Sequence, residues 1–144
     1  MTTEPINETF IRSITPTGVI IYQFKDIFHA TITRWKQASQ ADDLNAVEKN
    51  QHIRSLYVLH SDIRTGPIIQ LFTEAIYNTP PKITQSVAIL TTHWLLRNSF
   101  QIGIKVTRTN AVFVVGSRIE ADKWLVDRTD LYLARGIAPY LPSD

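Results

Sequence analysis

Four short apolar runs punctuate this chain: VIIYQF at 19–24, RSLYVLHS at 54–61, TQSVAILT at 84–91 and AVFVV at 111–115. Between them lie stretches with helical spacing. This alternation constrains the fold more than any other feature. Strand centres that stay apolar through successive positions, such as LYVL and VFVV, are buried on both faces. Such strands run parallel, and each parallel pair needs a crossover, usually a helix.

The segments can be placed in order. Residues 8–14 form a first strand, Pro16-Thr17-Gly18 is turn chemistry, and 19–24 is the second strand, giving an opening hairpin. Residues 29–41 read as a helix, with Ile32, Trp35 and Ala38 on one face. Asp42-Asp43 lies in a loop and caps a further short piece, LNAVEK. After the strand at 54–61, Pro67 suits the first turn of a helix over 67–78, with Ile68, Leu71, Phe72, Ala75 and Ile76 inward and Pro80-Pro81 as its end. Residues 93–107 fit two patterns. Leu96, Phe100 and Ile104 are spaced for a helix, while Gly103 and IKVT would suit a hairpin with AVFVV; the helix is the preferred reading. A last helix spans 118–135, ended by Gly136 and Pro139. The predicted architecture is a single α/β domain with a mostly parallel or mixed five-stranded sheet flanked by helices, in the order β-β-α-β-α-β-α-β-α.

Composition supports one globular domain. The chain has 144 residues, 44% hydrophobic and 19% charged. It has no cysteine, which excludes disulfides, thiol catalysis and sulfur-based zinc sites. That fits a reducing cytoplasm. The opening MTTEPINETF has no basic stretch leading into an apolar one, so no signal peptide is expected. No apolar run approaches the roughly 20 residues of a membrane span. Basic residues number 15 against 13 acidic, and they are scattered, so no nucleic-acid role is expected.

The segments GVIIYQF, RSLYVLHSDIR, SVAIL and VFVVGSRIEADKWL, in this order and spacing, resemble the STAS-like (SpoIIAA-like) superfamily of sulfate-transporter and anti-sigma-factor-antagonist domains. The resemblance covers a core of residues 8–125, with a C-terminal helix and tail over 126–144. It implies a non-enzymatic regulatory or protein-interaction module in bacterial signalling. It also implies an alternative, since some such proteins hold small apolar or lipid-like ligands between helix and sheet. Phosphoregulated members carry an Asp-Ser-Ser-Gly-like run after the central strand. Here that region reads SDIRTGPII, with hydroxyls only at Ser61 and Thr65.

Candidate chemistry is sparse. His60, Asp62 and Arg64, with Thr65 beyond, follow the central strand. Thr92 and His93 follow the next, and Ser117 the last. In open α/β sheets ligands gather beyond the carboxyl ends of the strands, so these residues are the candidate ligand or partner contacts. Ser117 with Glu120 fits a capping box better than a nucleophile elbow, which needs Gly-x-Ser-x-Gly. The four histidines lack metal-ligand spacing, and no nucleophile–base pair is legible, so neither metal, cofactor nor catalysis is expected. A hydrolase or transferase would need a His93–Ser117 or His60–Asp62 hydrogen bond opening into a cleft. A deep apolar pocket under Trp94 and Phe100 would favour a ligand-binding module over an interaction module. The tryptophans Trp35, Trp94 and Trp124 read as core or groove packing. The tail holds Leu131, Leu133, Ile137, Tyr140 and Leu141, too many apolar groups for an unpacked terminus. They cover either the domain's own sheet or a second copy, and a homodimer through the tail is expected.

Overall fold

The turn that opens the sheet depends on Gly18, whose φ of +90° lies in the left-handed region that glycine enters without strain. A computed structural model describes residues 9–61, 63, 70–72, 74–75, 80, 82–107 and 110–143. In it the Gly18 N–H donates to the Thr15 carbonyl, and the Thr15 N–H to the Val19 carbonyl, both at 2.9 Å. This joins β1 (Phe10–Ile14) to β2 (Ile20–Phe24) as an antiparallel hairpin. A Cβ on Gly18 would stand 2.7 Å from the Leu141 side chain and 2.9 Å from the Arg54 guanidinium, so close packing adds a second demand for glycine.

From β2 onward the sheet is parallel. β3 (Ile53–Leu59), β4 (Gln85–Leu90) and β5 (Val112–Val115) follow in spatial order β1-β2-β3-β4-β5. The register places Ile20, Ser55, Val87 and Val112 in one row and Tyr22, Tyr57, Ile89 and Val114 in the next, all on one face. That face carries the larger core, closed by Trp35 and Ala46 of α1 (His29–Glu48), by Phe72 and by Leu96 and Phe100 of α2 (Trp94–Thr107). Residues 70–72, 74 and 75 are also helical. The opposite face carries Leu56, Ala88 and Val115 against Ala121 and Leu125 of α3 (Arg118–Ala134). Crossovers between neighbouring parallel strands share one hand and so stack on one side, which leaves the other face to the helix that follows the last strand.

The strand and helix expectations hold at the level of element type, including the helix at 94–107 in place of a hairpin. Leu96 and Phe100 are buried and Ile104 packs against them, so the i, i+4, i+8 spacing won over the β-branched IKVT. The helix over 67–78 lies mostly outside the described residues; Phe72 is buried and Leu71 and Ala75 pack beside it, as expected.

Asp42-Asp43 neither breaks nor caps the first helix, which runs unbroken from His29 to Glu48. The Asp42 carboxylate faces away from the backbone amides and accepts from Arg12 at 3.0 and 2.7 Å and from the Tyr22 hydroxyl at 2.5 Å. Aspartate ends helices when its side chain competes for backbone N–H groups. Tertiary partners remove that competition here. The helix ends past Glu48, where Asn50 adopts a φ of 51°.

The tail turns back on its own chain. His52 donates its N–H to the Ala138 carbonyl, and Tyr140 donates to the His52 carbonyl, both at 2.8 Å, so the tail pairs with the start of β3. Tyr140 is buried in the main core. Leu131, Leu133 and Leu141 stay 40%, 50% and 63% exposed, so they do not cover the domain's own sheet, one of the two alternatives the sequence left open. Trp94 is also a correction, because it is exposed while Trp35 is core and Trp124 stacks on Phe113 at 5.3 Å.

These contacts rank two substitutions. Asp42→Ala should cost about 3 kcal/mol, because it strands Arg12 and the buried Tyr22 hydroxyl. Ser117→Ala should cost no more than about 1 kcal/mol, because its cap bond to the Glu120 N–H is 3.5 Å long. Urea melts of the two variants check the order; equal midpoints would refute it.

Candidate functional site

The residues expected at the carboxyl ends of the strands divide into two sets. Asp62, Arg64 and Thr65 lie outside the described residues. His60, Thr92, His93 and Ser117 stand at the ends of β3, β4 and β5, as the topology requires. The His60 N–H donates to the Phe24 carbonyl at 2.9 Å. The His93 ring Nδ1 accepts from the Leu96 N–H at 3.4 Å, which caps α2. Ser117 is the N-cap of α3, with extended backbone at φ −131°. His93 and Ser117 therefore each serve the first turn of the helix that follows.

A polar group the sequence did not single out lies at the opposite, amino end of the strands. His52, Arg54 and Ser86 share the face covered by α3, and all three are buried with Arg128. Ser86 Oγ accepts from Arg128 Nε at 2.9 Å and lies 2.8 Å from His52 Nε2. Arginine only donates. The Ser86 hydroxyl has one proton and two lone pairs, so it can donate to His52 Nε2 or accept from it. Among the described residues neither His52 Nδ1 nor Arg54 Nε has a hydrogen-bond partner. Arg54 reaches the Thr17 carbonyl at 2.5 Å and the Thr129 hydroxyl at 3.3 Å. Arg128 stacks over Trp124 and Tyr132, and His52 lies 4.2 Å from the Tyr132 ring.

A serine bonded to a histidine is the start of a nucleophile–base pair. Both side chains here are 0% exposed, so no substrate reaches them. Burial, and then the charges of Arg54 and Arg128, push the His52 pKa down to about 4. Its neutral ring is what allows two guanidinium groups to sit in the same small space. The spacing between His52, Ser86 and Arg128 is 34 and 42 residues, so only the register of β3 on β4 brings them together.

The cavity lies on the other face. A groove of about 560 Å³ opens between α1 and the helical residues 70–72, 74 and 75, over the middle of the sheet. Its floor is Ser55, Tyr57 and Val87, and its walls include Trp35, Leu44, Val47 and Leu71. Tyr57 is the centre of an aromatic cluster, with Tyr22, Trp35 and Phe72 at 5.3, 6.0 and 5.3 Å. Its hydroxyl accepts from Trp35 Nε1 at 3.3 Å. Burial holds the phenol pKa above its ordinary value, so it stays protonated. Neither Trp94 nor Phe100 lines this groove; Phe100 is packed in the core.

Asp43 stands on the wall of the groove. Burial, reinforced by the neighbouring Asp42 charge, raises its pKa to about 6. The sequence could have shown this only through the helix: neighbours on a helix point about 100° apart. Once Asp42 faces the hairpin, Asp43 faces the groove. Among the described residues no group of three or more His, Asp or Glu side chains could hold a metal ion. Comparison with protein-family models, with curated proteins and with solved structures returns no match.

The two shifted groups have opposite effects on stability. The His52 pKa falls from 6.5 to about 4 on folding, so its contribution is present above pH 6.5 and is lost as pH falls towards 4. That is about 3 kcal/mol. The Asp43 pKa rises from 3.8 to about 6, so its contribution is full below pH 3.8 and lost as pH rises through about 6. Asp43→Asn should therefore be more stable than the parent at pH 7.5 and lose that advantage by pH 4. It should also lose more stability on acidification, because only the His52 slope remains. Denaturant melts across this range check the sign; parallel curves for the two proteins would refute it.

Proposed function

We propose that this chain is a non-enzymatic binding module with a STAS-like fold, and that its groove takes a small, largely apolar ligand between helix and sheet. The observation that carries this reading is the groove itself. Its volume falls within the ordinary range of small-molecule sites, and its apolar and aromatic lining, with Trp35, Leu71, Phe72, Ile83 and Val87, is interspersed with polar groups such as Ser39, Ser55 and Gln85. The element order supports the STAS-like assignment, and the buried Ser86–His52 pair supports a role without catalysis. The lack of cysteine supports a cytoplasmic setting.

The test uses 4-phenylbutanol as a neutral probe. Titration followed by NMR should shift the resonances of Trp35, Tyr57 and Val87 together. Ser55 is buried on the groove floor between Ile20 and Val87, so Ser55→Leu projects apolar volume into the groove. This variant should keep its melting temperature and lose the probe. Unmoved resonances in the parent, or undiminished binding in Ser55→Leu, would count against the reading.

A second reading is the regulatory protein-interaction module of bacterial signalling. The observation favouring it is a set of exposed apolar side chains at the helix starts: Phe28 before α1, Trp94 and Leu95 on α2, and Ile119 on α3, with Phe28, Trp94 and Ile119 at 74%, 64% and 80% exposure. All stand at the carboxyl ends of the parallel strands. A homodimer through the tail would have to use Leu131, Leu133 and Leu141, because Tyr140 is already within the chain's own core.

A further inference from the structure

We infer that the groove selects an apolar ligand with a positively charged head, an organic amine, and that the Asp43 carboxylate on the groove wall receives that head. This rests on the groove being a ligand site, as proposed above.

The argument is electrostatic. Among the described residues four charged side chains border the groove: Lys36 and Asp43 on α1, Glu74 on the helical residues opposite, and Lys82 before β4. Lys36, Glu74 and Lys82 are exposed, whereas Asp43 is half-buried. Exposed charges are weakened by water and by salt beyond roughly 8–10 Å. The half-buried carboxylate therefore governs the interior, although the formal charges at the rim balance. The sheet adds no cation, since Tyr22 and Tyr57 are neutral phenols. Asp42, the nearest other acid, is already bonded to Arg12 and Tyr22.

Each ligand charge then has a different consequence. A carboxylate would set two like charges together in a poorly solvated space. A neutral head would leave Asp43 without a counter-charge. An ammonium removes that deficit. The raised proton affinity of Asp43 has the same cause, because the proton is the cation it holds when no other is present. An amine competes with that proton, so amine affinity rises with pH through about 6 and then levels off.

The experiment compares three probes with the same apolar body, 4-phenylbutylamine, 4-phenylbutanol and 4-phenylbutyrate, by calorimetry at pH 7.5. The amine should bind roughly tenfold more tightly than the alcohol, and the carboxylate more weakly than either. The amine-to-alcohol ratio should fall towards one at pH 5, and also in Asp43→Asn at pH 7.5. Alcohol or carboxylate binding as tightly as the amine would overturn the inference while leaving the groove a ligand site. Failure of all three probes to bind would overturn the groove reading and this inference with it.

Discussion

The Asp42 carboxylate, closed on one side by Arg12 and on the other by the Tyr22 hydroxyl, is the contact on which the rest of the structure depends. It clamps α1 across the antiparallel hairpin. It keeps the helix continuous through a pair of aspartates that would otherwise start a new one. It also fixes the rotation of α1 about its own axis, and that rotation turns Asp43 towards the groove. Tyr22, held by the same carboxylate, stands edge-on to Tyr57 at 5.3 Å and helps to set the ring that floors the groove.

The two ends of the parallel strands divide the labour. At the carboxyl ends, His93 and Ser117 satisfy the free amides of the helices they begin, and apolar side chains stand in solvent beside them. At the amino ends, Arg54, Arg128, His52 and Ser86 are sealed beneath α3 and the returning tail. Two buried guanidinium groups in one cluster are tolerable because His52 stays neutral, because carbonyl and hydroxyl oxygens accept from them, and because aromatic faces lie beside Arg128. Polarity at this end is structural and specific. The groove is half-open and mixes apolar and aromatic side chains with polar and charged ones.

Much of the fold was legible because strand signals are local. VIIYQF, LYVL, VAIL and VFVV announce buried strands through the side chains they contain, and Gly18 and Ser117 mark a turn and a helix start through their own backbone chemistry. Residues 94–107 were legible as a helix from three apolar side chains four apart. The candidate site was far less legible. The carboxyl-end residues were chosen by a rule about where ligands gather. The groove instead lies over the middle of the sheet, between two helices whose separation no single segment encodes.

The sequence by itself determined the alternation of strand and helix, the hairpin at the start, the cap at Ser117 and the exclusion of cysteine chemistry. These follow from period, turn residues and composition, which act within a few residues. Only the tertiary structure decided the roles of Asp42, Asp43, His52 and Ser86. Each role depends on partners tens of residues away: Arg12 and Tyr22 for Asp42, Ser86 and Arg128 for His52. An isolated aspartate in water is a helix breaker and an ordinary acid. Fixed against a guanidinium and a phenol it becomes a helix-interior clamp, and its neighbour, drawn partly out of water, becomes a carboxylate in want of a cation.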